Sequence, residues 1–180
     1  MKKTIEQGNR GFPSTYWHKN YPDPQEMDGV GNAREHARFI SAHLTLENIP
    51  INSIIDFGAG LGAMFKAVVE EIRPNLAVAV EPSPLAWEQL KKVNWKEKSL
   101  LCELRNEDML TCLQFFSAMA TQKKSWRYKK LLYNFNNKVD YAFDLGICNS
   151  VFQYLSDREV DLVLALLAKR CRFVYFTVPT

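Results

Sequence analysis

No apolar run in this 180-residue chain reaches the roughly 18 residues that a membrane-spanning helix requires. The nearest approach, Leu162 to Ala168, reads as one face of a helix. The start of the chain has two lysines, Lys2 and Lys3, but no apolar stretch behind them, so no secretory signal is expected. Four cysteines, Cys102, Cys112, Cys148 and Cys171, are scattered without a C-x-x-C pair. That excludes a disulfide framework and a cysteine zinc site, and leaves reduced core cysteines. The three histidines, His18, His36 and His43, lie seven or more residues apart. His36 and His43 share a helix face, but two ligands make a poor metal site and no metal is expected. The net charge is only +3, which gives no global drive toward nucleic acid or membrane. These absences together point to a cytoplasmic protein.

There is enough here for one folded domain. The chain is 47% hydrophobic and carries 11 Phe, 7 Tyr and 4 Trp, which argues against disorder. A chain of this length buries a sizeable core without staples.

The most informative segment is Ile54 to Gly62. An apolar strand ending near Phe57 runs straight into three alternating glycines, Gly58, Gly60 and Gly62. A chain that bends sharply and presses its backbone against a ligand needs residues without a Cβ. Phe65, Val68, Val69 and Ile72 then recur at the spacing of a helix lying on a sheet, and Pro74 ends that helix. A second strand, Leu76 to Val80, ends in Glu81, 19 residues after Gly62. Strand, glycine turn, helix, strand and acid form the layout of a nucleotide-cofactor half-site in an α/β sheet.

Two cofactor classes share that layout. Gly58-x-Gly60-x-x-Ala63 can be laid onto the dinucleotide fingerprint, and an acid at the end of the second strand suits an adenosine ribose in either class. Asp56 separates them. A carboxylate at the mouth of a phosphate-binding turn repels pyrophosphate, whereas it suits a cofactor with no phosphate and a cationic amino group. The segment Asp56-Phe57-Gly58-Ala59-Gly60-Leu61-Gly62 resembles the first motif, (D/E)-x-G-x-G-x-G, of the class I (Rossmann-like) S-adenosylmethionine-dependent methyltransferases. The match is complete. Phe143 to Leu155 looks like that family's fourth strand and the loop after it. The resemblance covers residues 33–180, weakest between 109 and 140.

The remaining elements follow from local signals. Asn32 and Glu35 predict a capping box on a helix whose apolar side is Phe39, Ile40, Leu44 and Leu46, stopped by Pro50. Ser83 and Pro84 open another helix carrying Leu85, Trp87, Leu90 and Val93. A short third strand is expected over Leu100 to Leu104, then a helix marked by Leu110, Leu113, Phe115 and Phe116. Ser156 and Glu159 predict a capping box before the stripe Val160, Val163, Leu164 and Leu167, with Lys169 and Arg170 at the favoured end. Phe173 to Val178 reads as a fifth strand, both faces apolar. The expected fold is a three-layer α/β/α sandwich with a mostly parallel sheet in the order 3-2-1-4-5 and its ligand crevice between strands 1 and 4. Residues 32–180 would form this domain and residues 1–31 an N-terminal arm or lid.

The family normally continues into an antiparallel hairpin of two more strands. This sequence stops at Pro179 and Thr180, which implies a truncated or naturally shortened form lacking that hairpin. The fifth strand would then be an edge, and a homodimer through it is the simplest cover.

The resemblance also implies site residues. Gly58, Ala59, Gly60 and Gly62 would form the cofactor loop. Asp56 would position that loop or take the amino group indirectly, and Glu81, followed by Pro82, would take the ribose hydroxyls. Asp108 would lie near the adenine amino group, with Met109 flat against the ring. Asn149 and Ser150 would line the pocket at the end of the fourth strand. The implied cofactor is S-adenosylmethionine, with S-adenosylhomocysteine as product, and the partner is an unidentified methyl acceptor. Positioning can supply most of the catalysis in an in-line methyl displacement, so the chemistry demands no particular catalyst. Tyr154, Gln153 and His36 are the candidate bases, none convincing. The loop after the fourth strand is not N-P-P-Y or D-P-P-Y, which argues against base methylation through that motif.

Two segments stand apart. Phe12 to Tyr21 mixes aromatic and polar residues and could supply Tyr16, Trp17 or Tyr21 to a lid, or pack as a terminal arm. Lys123 to Lys130 places five positive charges around Trp126 and Tyr128, which suits a solvated connection better than a nucleic-acid contact. The leading expectation is a methyltransferase. A binding or interaction module that keeps the fold without catalysis is the alternative, and a nicotinamide-dependent enzyme is disfavoured by Asp56.

Overall fold

The computed structural model describes residues 31–93, 100–121 and 142–178. The arm expected over 1–31, apart from Gly31, and the basic stretch 123–130 lie outside the described residues.

Five strands form one parallel sheet. They are β1 (Ser53–Phe57), β2 (Leu76–Val80), β3 (Leu101–Arg105), β4 (Phe143–Asn149) and β5 (Cys171–Thr177). The order is β3-β2-β1-β4-β5, as the sequence predicts. Every residue of β1 and β2 is buried, the condition of central strands covered on both faces.

Among the described residues five helices flank the sheet: α1 (Ala33–Leu46), α2 (Ala63–Ile72), α3 (Pro84–Leu90), α4 (Met109–Thr121) and α5 (Asp157–Arg170). The strand pleat sorts them into layers. Ile54, Ala77, Ala79, Leu145 and Ile147 pack with Ala37, Ile40, Phe65, Val68 and Leu90 of α1, α2 and α3. Ile55, Phe57, Val78, Val80 and Cys148 pack with Cys112, Leu113, Phe116, Val163 and Leu167 of α4 and α5. No helix among the described residues is long and apolar enough to cross a membrane.

At the lower end of the β1–β4 pair, Asp144 fixes the register. Its Oδ2 accepts from the amides of Asn52 and Ser53 at 2.9 and 3.0 Å and from Ser53 Oγ at 3.0 Å. This bolt holds the two strands between which the sheet order reverses.

Several local expectations are met. Ser156 and Glu159 form the reciprocal capping box of α5, and Ser83 Oγ accepts from the Ala86 amide at the start of α3. All four cysteines are free thiols. Burial pushes Cys171 up to about 12 and Cys102 up to about 11, so neither is a thiolate near neutral pH.

Others are corrected. Asn32 stands at the N-cap of α1 without a side-chain cap bond, so no capping box forms there. The buried stripe of α1 is Ala33, Ala37, Ile40 and Leu44, while Phe39 and Leu46 are exposed. Ile40 and Leu44 are covered as expected, while the small Ala33 and Ala37 take the places expected of Phe39 and Leu46, because a run of apolar residues does not reveal which face is covered. On α3, Ala86 and Leu90 are buried and Leu85 is partly exposed, for the same reason. β5 is not buried on both faces: Arg172 is exposed and Phe176 is 52% exposed. As an edge strand among the described residues it is paired only with β4.

Candidate functional site

The upper ends of β1 and β2 carry a turn built from left-handed glycines. Gly58, Gly60 and Gly62 have φ of 71°, 57° and 87°. An L-residue pays about 1–2 kcal/mol in that region. Gly58 is constrained twice, because a Cβ there would stand 2.7 Å from Val151 Cγ2 in the loop after β4. Gly62 is the N-cap residue of α2.

The turn's amides are spent within the protein. Gly58 and Ala59 both donate to the Val80 carbonyl, at 2.8 and 3.0 Å, and Gly62 donates to the Ala59 carbonyl at 2.9 Å. Gly60 donates to Glu81 Oε2 at 2.7 Å. A phosphate cradle works by offering such amides to an anion. Here four of the amides from 58 to 62 already have acceptors inside the chain.

Glu81 is 4% exposed. Its other oxygen, Oε1, accepts from the Ser83 amide at 2.7 Å. Each carboxylate oxygen still has a lone pair beyond those bonds. Burial pushes its carboxyl up to about 7, while the two amides pull the other way. Asn106 Nδ2 donates to the Glu81 carbonyl at 2.8 Å and reaches the Pro82 carbonyl at 3.5 Å. The end of β3 thereby fixes the backbone that carries Glu81.

Asp56 is 1% exposed, and its Oδ2 has no hydrogen-bond partner among the described residues. Burial first, and the neighbouring Glu81 second, raise its pKa well above the usual carboxylate value. A buried carboxylate with an unfilled acceptor costs stability unless something pairs with it. Two acids thus converge on one glycine turn, and the site is anionic whenever either ionises.

The other predicted residues divide. Asn149 Oδ1 accepts from Thr177 Oγ1 at 2.6 Å, and the Ser150 amide donates to the Thr177 carbonyl at 3.1 Å. Ser150 has a φ of 55°, so the chain turns sharply as it leaves β4. Both residues lie at the upper end of β4, on the far side of β1 from Glu81. Asp108 caps α4: Oδ1 accepts from the Thr111 amide at 2.9 Å and Oδ2 from Thr111 Oγ1 at 2.6 Å. Met109 is buried in the α4–α5 layer. The turn, Glu81, Asn149 and Ser150 share the end of the sheet where the parallel strands finish, and Asp108 and Met109 follow β3 at that same end.

Of the candidate bases, Gln153 is exposed and Tyr154 half-buried, both on the 3-10 turn Phe152–Tyr154. His36 in the first turn of α1 is hydrogen-bonded through Nδ1 to the Tyr175 hydroxyl of β5. Sequence reasoning missed Val151, Asn106, Thr177 and Tyr175. Asn106 was signalled only by its place at the end of β3, and nothing in the sequence marks Val151 as the residue that fills the space beside Gly58.

No protein-family model and no curated protein sequence matches the chain. The fold does have solved counterparts. It is similar to the plantazolicin methyltransferase BpumL in complex with SAH, at 14% identity and a TM-score of 0.52, over 91% of this chain and 50% of that one. It is similar to the bifunctional kinase-methyltransferase WbdD, at 14% identity and a TM-score of 0.58, over 98% of this chain and 33% of that one. The phosphoethanolamine N-methyltransferase 1 of Haemonchus contortus, in complex with phosphoethanolamine and S-adenosylhomocysteine, matches at 16% identity and a TM-score of 0.54, over 92% of this chain and 31% of that one. The chain spans half or less of the length of these proteins. The shared feature is the methyltransferase fold.

Proposed function

We propose that this chain binds S-adenosylmethionine at the upper ends of β1 and β2 and transfers its methyl group to an acceptor near the ends of β4 and β5. The observation that carries the reading is Asp56, a buried carboxylate whose Oδ2 has no partner among the described residues, beside a glycine turn in which four of the five amides from 58 to 62 already have acceptors. A dinucleotide would bring pyrophosphate against Asp56. A cofactor with a cationic amino group and a phosphate-free adenosine fits the same residues.

In this reading Glu81 accepts from the two ribose hydroxyls with the lone pairs left over from Gly60 and Ser83. Asp56 takes the positive amino group, directly or by holding the turn. Asn149 and Ser150 line the side facing the acceptor. S-adenosylmethionine, when bound, supplies a methyl group activated by an adjacent sulfonium. The residues around it hold the acceptor in line with that carbon and keep water out.

A thermal-shift comparison of S-adenosylhomocysteine with NAD tests the proposal. Stabilisation by the first alone is expected. Stabilisation by NAD alone would overturn it.

A further inference from the structure

The first turn of α1 and the upper part of β5 bring together two proton-carrying side chains that the cofactor reading does not use. His36 Nδ1 and the Tyr175 hydroxyl share a hydrogen bond across 139 residues of sequence. The placement follows from the fold. α1 is 14 residues, about 21 Å long, and a six-residue connection, 47–52, returns the chain to the bottom of β1. The start of α1 therefore lies at the upper end of the sheet, where β1 and β4 diverge. Tyr175 is in register with Ile147, and Ile147 with Asp56. The three residues form one row across neighbouring strands, so Tyr175 stands about 10 Å from Asp56, Cα to Cα. Tyr175 packs on the same layer as Ile147, below α1.

The surroundings are aromatic. Phe39, 64% exposed, lies 6.4 Å from the Tyr175 ring and stacks on His43 at an interplanar angle of 6°. A flat aromatic molecule approaching Tyr175 over Phe39 would find ring faces to pack on. Among the described residues, His43 stacks on Phe39 beside the pair and Asp56 lies along the same row. The described part of β4 contributes Ile147 at this level, which does not titrate.

We infer that His36 and Tyr175 form the proton-accepting pair for a phenolic methyl acceptor. The inference rests on the methyltransferase reading above. A phenol must lose its proton as its oxygen attacks. Its proton passes to the Tyr175 oxygen while the Tyr175 proton passes to His36 Nδ1, leaving an imidazolium and a neutral tyrosine. The phenolic oxygen's electron pair forms the bond to the methyl carbon, and the carbon–sulfur pair stays on sulfur. This relay requires neutral His36 to carry its hydrogen on Nε2 and accept at Nδ1. Burial raises the Tyr175 pKa, which keeps its hydroxyl protonated and able to relay.

The test combines three measurements on the wild type, His36→Gln and Tyr175→Phe. The first is transfer of labelled methyl from S-adenosylmethionine to catechol, 4-hydroxybenzoate and tyramine. The second is S-adenosylhomocysteine affinity, which doubles as a folding control. The third is the tautomer of the His36 ring by nitrogen NMR. Transfer to a phenol is expected, falling about 100-fold or more in kcat in both variants with cofactor affinity unchanged. The His36 ring should be the Nε2–H tautomer. Unchanged transfer in His36→Gln, or an Nδ1–H tautomer, would overturn the relay. Tight S-adenosylhomocysteine binding with no phenol methylated would overturn the acceptor assignment while leaving the cofactor reading intact. A folded chain that binds no S-adenosylhomocysteine would overturn both.

Discussion

Gly60 donates its amide to Glu81 Oε2 at 2.7 Å, so the turn after β1 is tied directly to the acid after β2. That bond places one buried carboxylate a short way from another, Asp56, whose Oδ2 has no partner among the described residues; burial raises both acids, and the nearby Glu81 raises Asp56 further. The ligand-free protein therefore stores an electrostatic cost at its site.

The cost is visible in pH. The Glu81 carboxyl is raised from 4.5 to about 7 in the folded chain. The folded state then holds more protons than the unfolded state between those values. Stability from this group is fully present below about pH 4.5 and is lost as pH rises toward 7, by roughly 3 kcal/mol. Asp56 shifts in the same direction, so its contribution also falls with rising pH. Urea titrations of the ligand-free protein from pH 5 to 9 should show declining stability. Asp56→Asn should show a shallower decline, its advantage over wild type growing with pH. A slope identical to wild type would contradict the assignment of Asp56 as a strained acid.

Gly58→Ala should destabilise the fold by about 2–4 kcal/mol. The left-handed φ of 71° costs about 1–2 kcal/mol for an L-residue, and the Cβ would stand 2.7 Å from Val151 Cγ2. Adding Val151→Ala should recover the steric part and leave the backbone part. Chemical denaturation of the three proteins separates the two. A double variant no better than Gly58→Ala would show that Val151 yields freely.

Ser156→Ala removes the side chain that accepts from Glu159 N at the start of α5. The loss should be about 1 kcal/mol, a fall of about 2–4 °C in Tm for a chain of this size. Calorimetric melting would read it. No change would mean that packing of Val163 and Leu167 alone fixes the helix start.

The central layout was legible because it depends on local signals. The apolar run into Gly58, the alternation of Gly60 and Gly62, and the acid after Val80 each carry a backbone or charge requirement readable without neighbours. The same holds for Ser156 with Glu159. What depended on tertiary packing was not legible. Phe39 is more apolar than Ala37, yet Ala37 faces α2 and Phe39 faces out. Asn32 has the right side chain for a cap but the wrong φ and ψ, −115° and 15°. Nothing in the sequence singled out Thr111 as the partner of Asp108 at the start of α4. The His36–Tyr175 bond joins the first and last described elements, a separation that no sequence pattern spans.

Calorimetric titration of S-adenosylhomocysteine into the wild type and Glu81→Ala tests the account most directly. Wild type should bind, and the variant should bind about 10- to 150-fold more weakly, the loss of charge-assisted bonds to two hydroxyls worth roughly 1.5–3 kcal/mol. A folded wild type that binds no S-adenosylhomocysteine, or a Glu81→Ala variant that binds it as tightly as wild type, would contradict it.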